Sequence, residues 1–406
     1  MKILVLNAGS SSQKSCLYAL DSLPSHPPEP IWKADIDWYA KPDSGLLTVK
    51  ARGVKQSIPV SASDRILGIE CMLKSLVEGE TRVLESLAEI SIVGHRVVHG
   101  GIEYSTAIGI APEVKETIKA LIPLAPNHNP AHIEGIEAIE RILGDVPQIA
   151  VFDTAFHRSI PPASSLYPIP YEWAEQGIRR YGFHGTSHQY CSRQAADILD
   201  RPIESLKTIV AHLGNGASLS AVRGGVCIDT TMGFTPLEGL MMGTRSGSID
   251  PAILIYLQQE WAFTPEKLNT LLNKESGLKG VSGISADMRT VILAMQEGDE
   301  RSKLAFDMYI HRLKSCLGSM LASLEGLDAL VFTAGVGENS AIVRERACQG
   351  WDFLGLQLDK EKNESHPVDT DISTAESKVR ILVIHTEEDW AIARECWQYA
   401  KFSGSL

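Results

Sequence analysis

At 406 residues, with 44% hydrophobic and 22% charged residues, the chain has the balance of a globular protein but exceeds what one hydrophobic core supports, so two domains are expected. Its formal net charge of −12 argues against a surface built for nucleic acid or anionic membrane, and no run of 18 apolar residues is present to span a bilayer. The seven cysteines are scattered, odd in number and without a C-x-x-C pair, which fits reduced thiols and a cytoplasmic location better than disulfides or zinc.

The first residues read as a strand, 2–6, and not as a secretory leader. That strand runs into the glycine- and serine-rich turn 7–14, and 15–19 reads as the returning strand. The turn has few bulky side chains and many N–H, hydroxyl and amide groups, which suits a triphosphate with its metal ion. It is not a Walker loop: Gln13 stands before Lys14-Ser15 where that motif needs glycine, and a strand follows instead of a helix. A phosphate loop within a β-hairpin points to the actin, sugar-kinase and Hsp70 architecture, with an ordinary hairpin turn as the alternative.

A proline-rich loop, 21–30, leads to strands 31–37 and 46–50. Helical periodicity covers 62–77 and 131–143, the latter with Ile133, Ile136, Ile139 and Leu143 in one stripe. Segments 90–98 and 148–153 are almost continuously apolar, as buried parallel strands are. The second half restarts as the first began: 209–222 is strand, glycine-rich turn and strand, and Gly224-Gly225 turns into 226–229. Asn7-Ala8-Gly9 set against His212-Leu213-Gly214 is a faint internal repeat, consistent with two related domains each supplying a phosphate-facing hairpin. A long helix, 299–325, is expected to stop at Gly326 and feed strand 328–333; strand 379–384 and helix 389–401 close the chain.

Several strings carry chemistry. In 94–101, Arg96 ends a buried strand among two histidines and three glycines, placed to hold a carboxylate or phosphate in two-pronged fashion; a surface ion pair is the plain alternative. The loop 125–130 contains Asn127 and His128 before a helix that aims its positive end at an anion, although a lone histidine is more often structural. Asp153 ends a strand where open α/β sheets bind ligands, or caps a turn. The cluster 179–188 sets His184 between Phe183 and Gly185. Arg245, flanked by Thr244, Ser246 and Gly247, is a cation suited to a transferring phosphoryl group, with a plain helix-edge arginine as the alternative. Segment 332–339, with Gly335, Val336 and Asn339, follows a strand and opens a helix, as a nucleoside site does; close strand–helix packing explains the glycines equally.

Together these strings resemble the acetate kinase (acetokinase) family. The matching pieces are 6–12, 94–101, 152–157, 180–188, 212–218, 242–247, 283–289 and 332–339, in family order over essentially the whole chain. The resemblance implies an α/β, duplicated actin-like (ribonuclease H-like) fold of two domains with an interdomain cleft. It places the N-terminal domain at 1–154 plus 390–406, and the domain for nucleotide binding and dimerisation at 155–389. It implies reversible transfer of the ATP γ-phosphoryl group to acetate by in-line displacement, with Mg2+ (or Mn2+), in a homodimeric cytoplasmic enzyme that makes acetyl phosphate toward acetyl-CoA. By the same resemblance Arg96, Asp153, His184 and Arg245 are catalytic, and Arg96, Val98, His128, Phe183 and Pro236 contact the acid. Ser10, Ser12, Lys14, His212, Asn215, Gly216, Asp287, Met288, Arg289, Gly335, Val336 and Asn339 bind the nucleotide, while Asn7 and Glu388 hold the metal, with Glu387 as the alternative register.

The chain departs from the family pattern in three places. Asn127 is polar where an apolar residue usually lines the methyl pocket; Gln13 and Ser15 flank Lys14 where leucine and phenylalanine are common; and Thr386-Glu387-Glu388-Asp389 replaces Thr-Asn-Glu-Glu. A kinase for propionate or another short acid is therefore the second reading, since one methylene shifts discrimination by only ~1–3 kcal/mol. A non-catalytic actin-like nucleotide switch is the third, and has no reason to keep Arg96, His184 and Arg245 together.

Overall fold

The computed structural model describes residues 1–9, 12–41, 44–61, 64–126 and 128–403, with the side chains of 39–41 and 403 left aside. The expected nucleotide contact Ser10 and the divergent Asn127 lie outside the described residues. The chain divides into unit 1, Met1–Ala155 with Glu387–Leu406, and unit 2, Phe156–Thr386.

Unit 1 is built on a sheet in the order β5-β4-β3-β2-β1-β6-β8-β7. Its strands are β1 (Lys2–Ala8), β2 (Ser12–Ala19), β3 (Trp32–Lys41), β4 (Ser44–Ala51), β5 (Val54–Ser61), β6 (Ile92–Val97), β7 (Ile108–Gly109) and β8 (Gln148–Phe152). The expected strands are all present; β5 and the two-residue β7 are additions, β5 hidden in the sequence by Pro59 and by its largely exposed polar residues. β1 is buried on both faces. Leu4 and Leu6 join a core with Trp32, Trp38 and the helices Arg65–Lys74 and Asn129–Leu143. Val5, on the opposite face, pairs with Gly94 of β6, and a Cβ at Gly94 would lie 2.5 Å from Cys396 Sγ of helix Glu388–Ser403. Glycine there lets that helix lie directly on the sheet.

Unit 2 carries the sheet β11-β10-β9-β12-β14-β13, made of β9 (Lys207–Leu213), β10 (Ala217–Arg223), β11 (Val226–Thr230), β12 (Ala329–Thr333), β13 (Thr370–Asp371) and β14 (Arg380–Val383). Its pairings run antiparallel, antiparallel, parallel, parallel, antiparallel from β11 to β13. The same succession runs from β3 through β2, β1, β6 and β8 to β7 in unit 1. The duplicated actin-like pattern is thus written in strand pairing, and Asn7 and His212 are each the sixth residue of their seven-residue strand.

Helix Glu300–Leu324 starts as expected, with Asp299 capping Ser302 N–H. It ends one residue early, because Glu325 itself takes the left-handed conformation (φ 56°) ahead of Gly326. Segment 231–251, which carries Arg245, is loop. No helix among the described residues is long and apolar enough to cross a membrane, and no disulfide joins the cysteines.

Candidate active site

In unit 1 strand alternation gathers three of the expected residues, Asn7, Arg96 and Asp153. Val5 and Asn7 share a face of β1; Gly94 and Arg96 share the corresponding face of β6; Val151 and Asp153 follow suit along and beyond β8. Arg96 Nε donates to both carboxylate oxygens of Asp153 (3.0 and 3.1 Å), and Nη2 donates to Oδ2 at 2.7 Å. The carboxylate that Arg96 grips is therefore Asp153's own, a pair buried rather than on the surface, with side chains 15% and 1% exposed. Burial works against the guanidinium charge, but Asp153 and then Glu388 outweigh it and hold the group more firmly protonated than usual.

Arg96 Nη1 donates to Asn7 Oδ1 (3.1 Å), while Asn7 Nδ2 donates to Asp389 Oδ1 (3.0 Å) and Glu388 Oε2 (3.4 Å). Both carboxylates sit in the first turn of helix Glu388–Ser403, where negative charge is favoured. The Glu388 and Asp389 carboxylates and the Asn7 amide oxygen are hard ligands of the kind that suits a divalent cation such as Mg2+. Among the described residues no three His, Cys, Asp or Glu form a ready-made metal cage. Lys14 is opposite Asn7 on β2, exposed, and Ser12 begins that strand, with its carbonyl accepting from Gly9 N–H at 2.7 Å. The divergent neighbours are costly: Gln13 Nε2 and Ser15 Oγ are buried without hydrogen-bond partners. Val98 is buried just past β6, and His128 occupies the N-cap of helix Asn129–Leu143.

Unit 2 gathers a second group. His184 is the N-cap of helix Gly185–Ile198 in the left-handed conformation (φ 57°), a strained geometry for a residue with a Cβ. Its ring stacks on His212 with centroids 4.2 Å apart and 17° between planes. The turn between β9 and β10 closes over both rings: a Cβ at Gly214 would lie 3.5 Å from His212 Nε2, and one at Gly216 3.5 Å from His184 Nε2 and 3.3 Å from Arg245 Nη1. Arg245 Nη1 also donates to Pro236 O at 2.9 Å, and burial pulls its guanidinium pKa down. Asn215 packs on Gly243, as does Ala286, the residue before Asp287. Phe183 is fully buried beside His184.

The remaining nucleotide candidates are less closely gathered. Asp287 caps helix Met288–Gln296 and is paired with the mostly exposed Arg289 at 2.6 Å, while Met288 is buried. Gly335, Val336 and Asn339 lie in helix Ala334–Asn339, Asn339 donating to Gly335 O at 2.9 Å. Ser187, His188, Ser218 and Thr386 escaped the sequence reading as functional groups, although the first three lie inside the motifs 180–188 and 212–218.

The sequence matches the Acetokinase family over residues 2–394. It is 73% identical to an acetate kinase of Microcystis aeruginosa (98% of this chain, 99% of that one) and 62% identical to one of Synechocystis sp. (98% of each). Among solved structures, Porphyromonas gingivalis acetate kinase superposes with a TM-score of 0.89 at 39% identity, covering 98% of this chain and 99% of that one. A propionate kinase from Francisella tularensis does so with the same TM-score and coverage at 41% identity.

Proposed function

This chain belongs to the acetokinase family and is a phosphotransferase that passes the ATP γ-phosphoryl group to acetate; we propose that it does so by direct in-line displacement with the residues assembled in the two units. The observation that carries the assignment of roles is the convergence of His184 Nε2 and Arg245 Nη1 beside Gly216, two side-chain nitrogens within 3.5 Å of one point. Acetate is ionised at neutral pH and needs no general base. A carboxylate oxygen attacks the γ-phosphorus, the bond to the bridging oxygen breaks, and ADP and acetyl phosphate result. The loose transition state asks for position and positive charge: Arg96 and Arg245 supply the charge, and His184 supplies a positioned hydrogen bond.

Asp153 fixes the Arg96 fork; Val98 and His128 in unit 1, and Phe183 and Pro236 in unit 2, are the residues assigned to the acid. Ser12, Lys14, His212, Asn215 and Gly216 face the phosphates; Asp287, Met288, Arg289, Gly335, Val336 and Asn339 serve the nucleoside. Glu388 with Asn7 would hold Mg2+, which would offset the charge of the phosphates. The hydrogen bond from Asn7 to Glu388 favours that residue over Glu387. Domains at 1–154 with 390–406 and at 155–389, and a cytoplasmic location, complete the reading.

Incubation with MgATP, hydroxylamine and acetate, propionate or butyrate in turn tests this. Acyl hydroxamate is expected with acetate strongest; ATP binding with no product from any acid would sink the assignment. The propionate reading rests on the Francisella tularensis neighbour, and a preference for the longer acid would establish it.

A homodimer through unit 2 is part of the proposal. Helix Ala252–Trp261 has no buried residue, and Ile253, Ile255, Tyr256 and Trp261 stand exposed on it. Light scattering should give twice the monomer mass, and Tyr256→Glu should halve it.

A further inference from the structure

Two imidazoles share one hydroxyl in unit 2. Register pairs Ser218 of β10 with His212 of β9, so both point to the face covered by helix Gly185–Ile198. Ser218 Oγ lies 2.8 Å from His184 Nδ1 and 2.7 Å from His188 Nε2. Ser218 and His188 are both fully buried.

A hydroxyl has one proton, so Ser218 donates to one ring and accepts from the other. His188 is held neutral because burial, reinforced by His157 and His212, drives its pKa well below the usual value. A neutral ring carries a single N–H, and His188 Nδ1 has no partner. A proton on Nδ1 would be an orphaned buried donor, the rarer and costlier defect; a proton on Nε2 has Ser218 as its acceptor. The order of donation is then His188 Nε2–H to Ser218 Oγ, and Ser218 O–H to His184 Nδ1. His184 Nδ1 accepts, and the ring's own proton sits on Nε2, the atom beside Gly216 and Arg245.

From this geometry we infer that Ser218 and His188 are positioning residues that lock His184 in the tautomer presenting an N–H to the transferring phosphoryl group. The inference rests on the role proposed above for His184. A parallel arrangement serves the stacked partner: Thr386 Oγ1 lies 3.0 Å from Ser187 Oγ, which lies 2.8 Å from His212 Nδ1.

Ser218→Ala removes the relay at the cost of one oxygen. Its kcat is expected to fall on the order of 10–100-fold, as when an outer partner orienting an imidazole is lost, with KM for ATP and acetate little changed. Ser218→Thr keeps the hydroxyl and should recover most of the loss. In 15N spectra of histidine-labelled protein, His184 should show a protonated Nε2 and an accepting Nδ1, and Ser218→Ala should show a mixture of tautomers. An unchanged kcat, or the same single tautomer in Ser218→Ala, overturns the inference. If Ser218→Ala does not fold, His188→Gln, whose amide still donates to Ser218, must lose less kcat than His188→Leu; equal losses also overturn it. His184→Ala separates the two levels: retained activity there refutes the role of His184 itself, whereas its loss beside an unaffected Ser218→Ala refutes only the relay.

Discussion

Replacing Asp153 by Asn tests whether the buried pair with Arg96 holds unit 1 together as well as serving chemistry. The substitution keeps the shape but turns one oxygen into an NH2 facing a donor, so of three hydrogen bonds at 2.7–3.1 Å at most two survive, and without their charge. Arg96, 15% exposed, is left without its main counter-ion. Removing one member of a buried ion pair costs ~3–5 kcal/mol. For a unit in the 150–250-residue range each kcal/mol lowers Tm by about 2–4 °C, so a fall of roughly 10 °C is expected. Urea and thermal unfolding read by tryptophan fluorescence suit the question, because Trp32, Trp38, Trp390 and Trp397 are all buried in unit 1. Adding Arg96→Met removes the orphaned charge and should return most of the stability while activity stays lost. A single variant within 2 °C of the parent, or a double variant less stable than either single, would refute the reasoning.

Gly216→Ala places a methyl 3.3 Å from Arg245 Nη1 and 3.5 Å from His184 Nε2 at a position with no positive φ, so kcat should drop about 100-fold with Tm unmoved; a kcat within twofold of the parent contradicts the assigned convergence. Gln13→Leu removes a buried donor without a partner and should stabilise unit 1 by about 1–2 kcal/mol in urea unfolding, a loss of stability counting against it. Burial lowers the pKa of His95 and His157 from 6.5 to about 4, so between those values the unfolded chain binds more protons than the folded one. Stability is then complete above pH 6.5 and falls as pH drops, by about 2 kcal/mol per histidine at pH 5; a urea midpoint equal at pH 7.5 and pH 5 would exclude this.

Much of the sheet framework was legible because β1, β6, β8, β9 and β12 are buried on both faces and read as apolar runs. Helix Ala252–Trp261 was not read, because its apolar residues run all round and leave no stripe. The actin-like architecture followed from a hairpin chemistry that a short window contains. The grip of Arg96 on Asp153 did not, since it depends on the register of β6 against β8, which joins residues 57 apart. Ser218 was hidden for the same reason: only the pairing of β10 with β9 sets it opposite His212.

Helix Glu388–Ser403 packs on β1, and Asn7 meets Glu388 across 381 positions of chain. On the ribosome the strands of unit 1 are made first, yet their covering helix emerges only after every residue of unit 2, which is contiguous, has been translated. The order of completion is therefore the reverse of the order of synthesis: unit 2 closes first and unit 1 waits with one face of β1 uncovered. A chain stalled before residue 388 has the hairpin that carries Asn7 but neither Glu388 nor Asp389, the two carboxylates to which Asn7 donates.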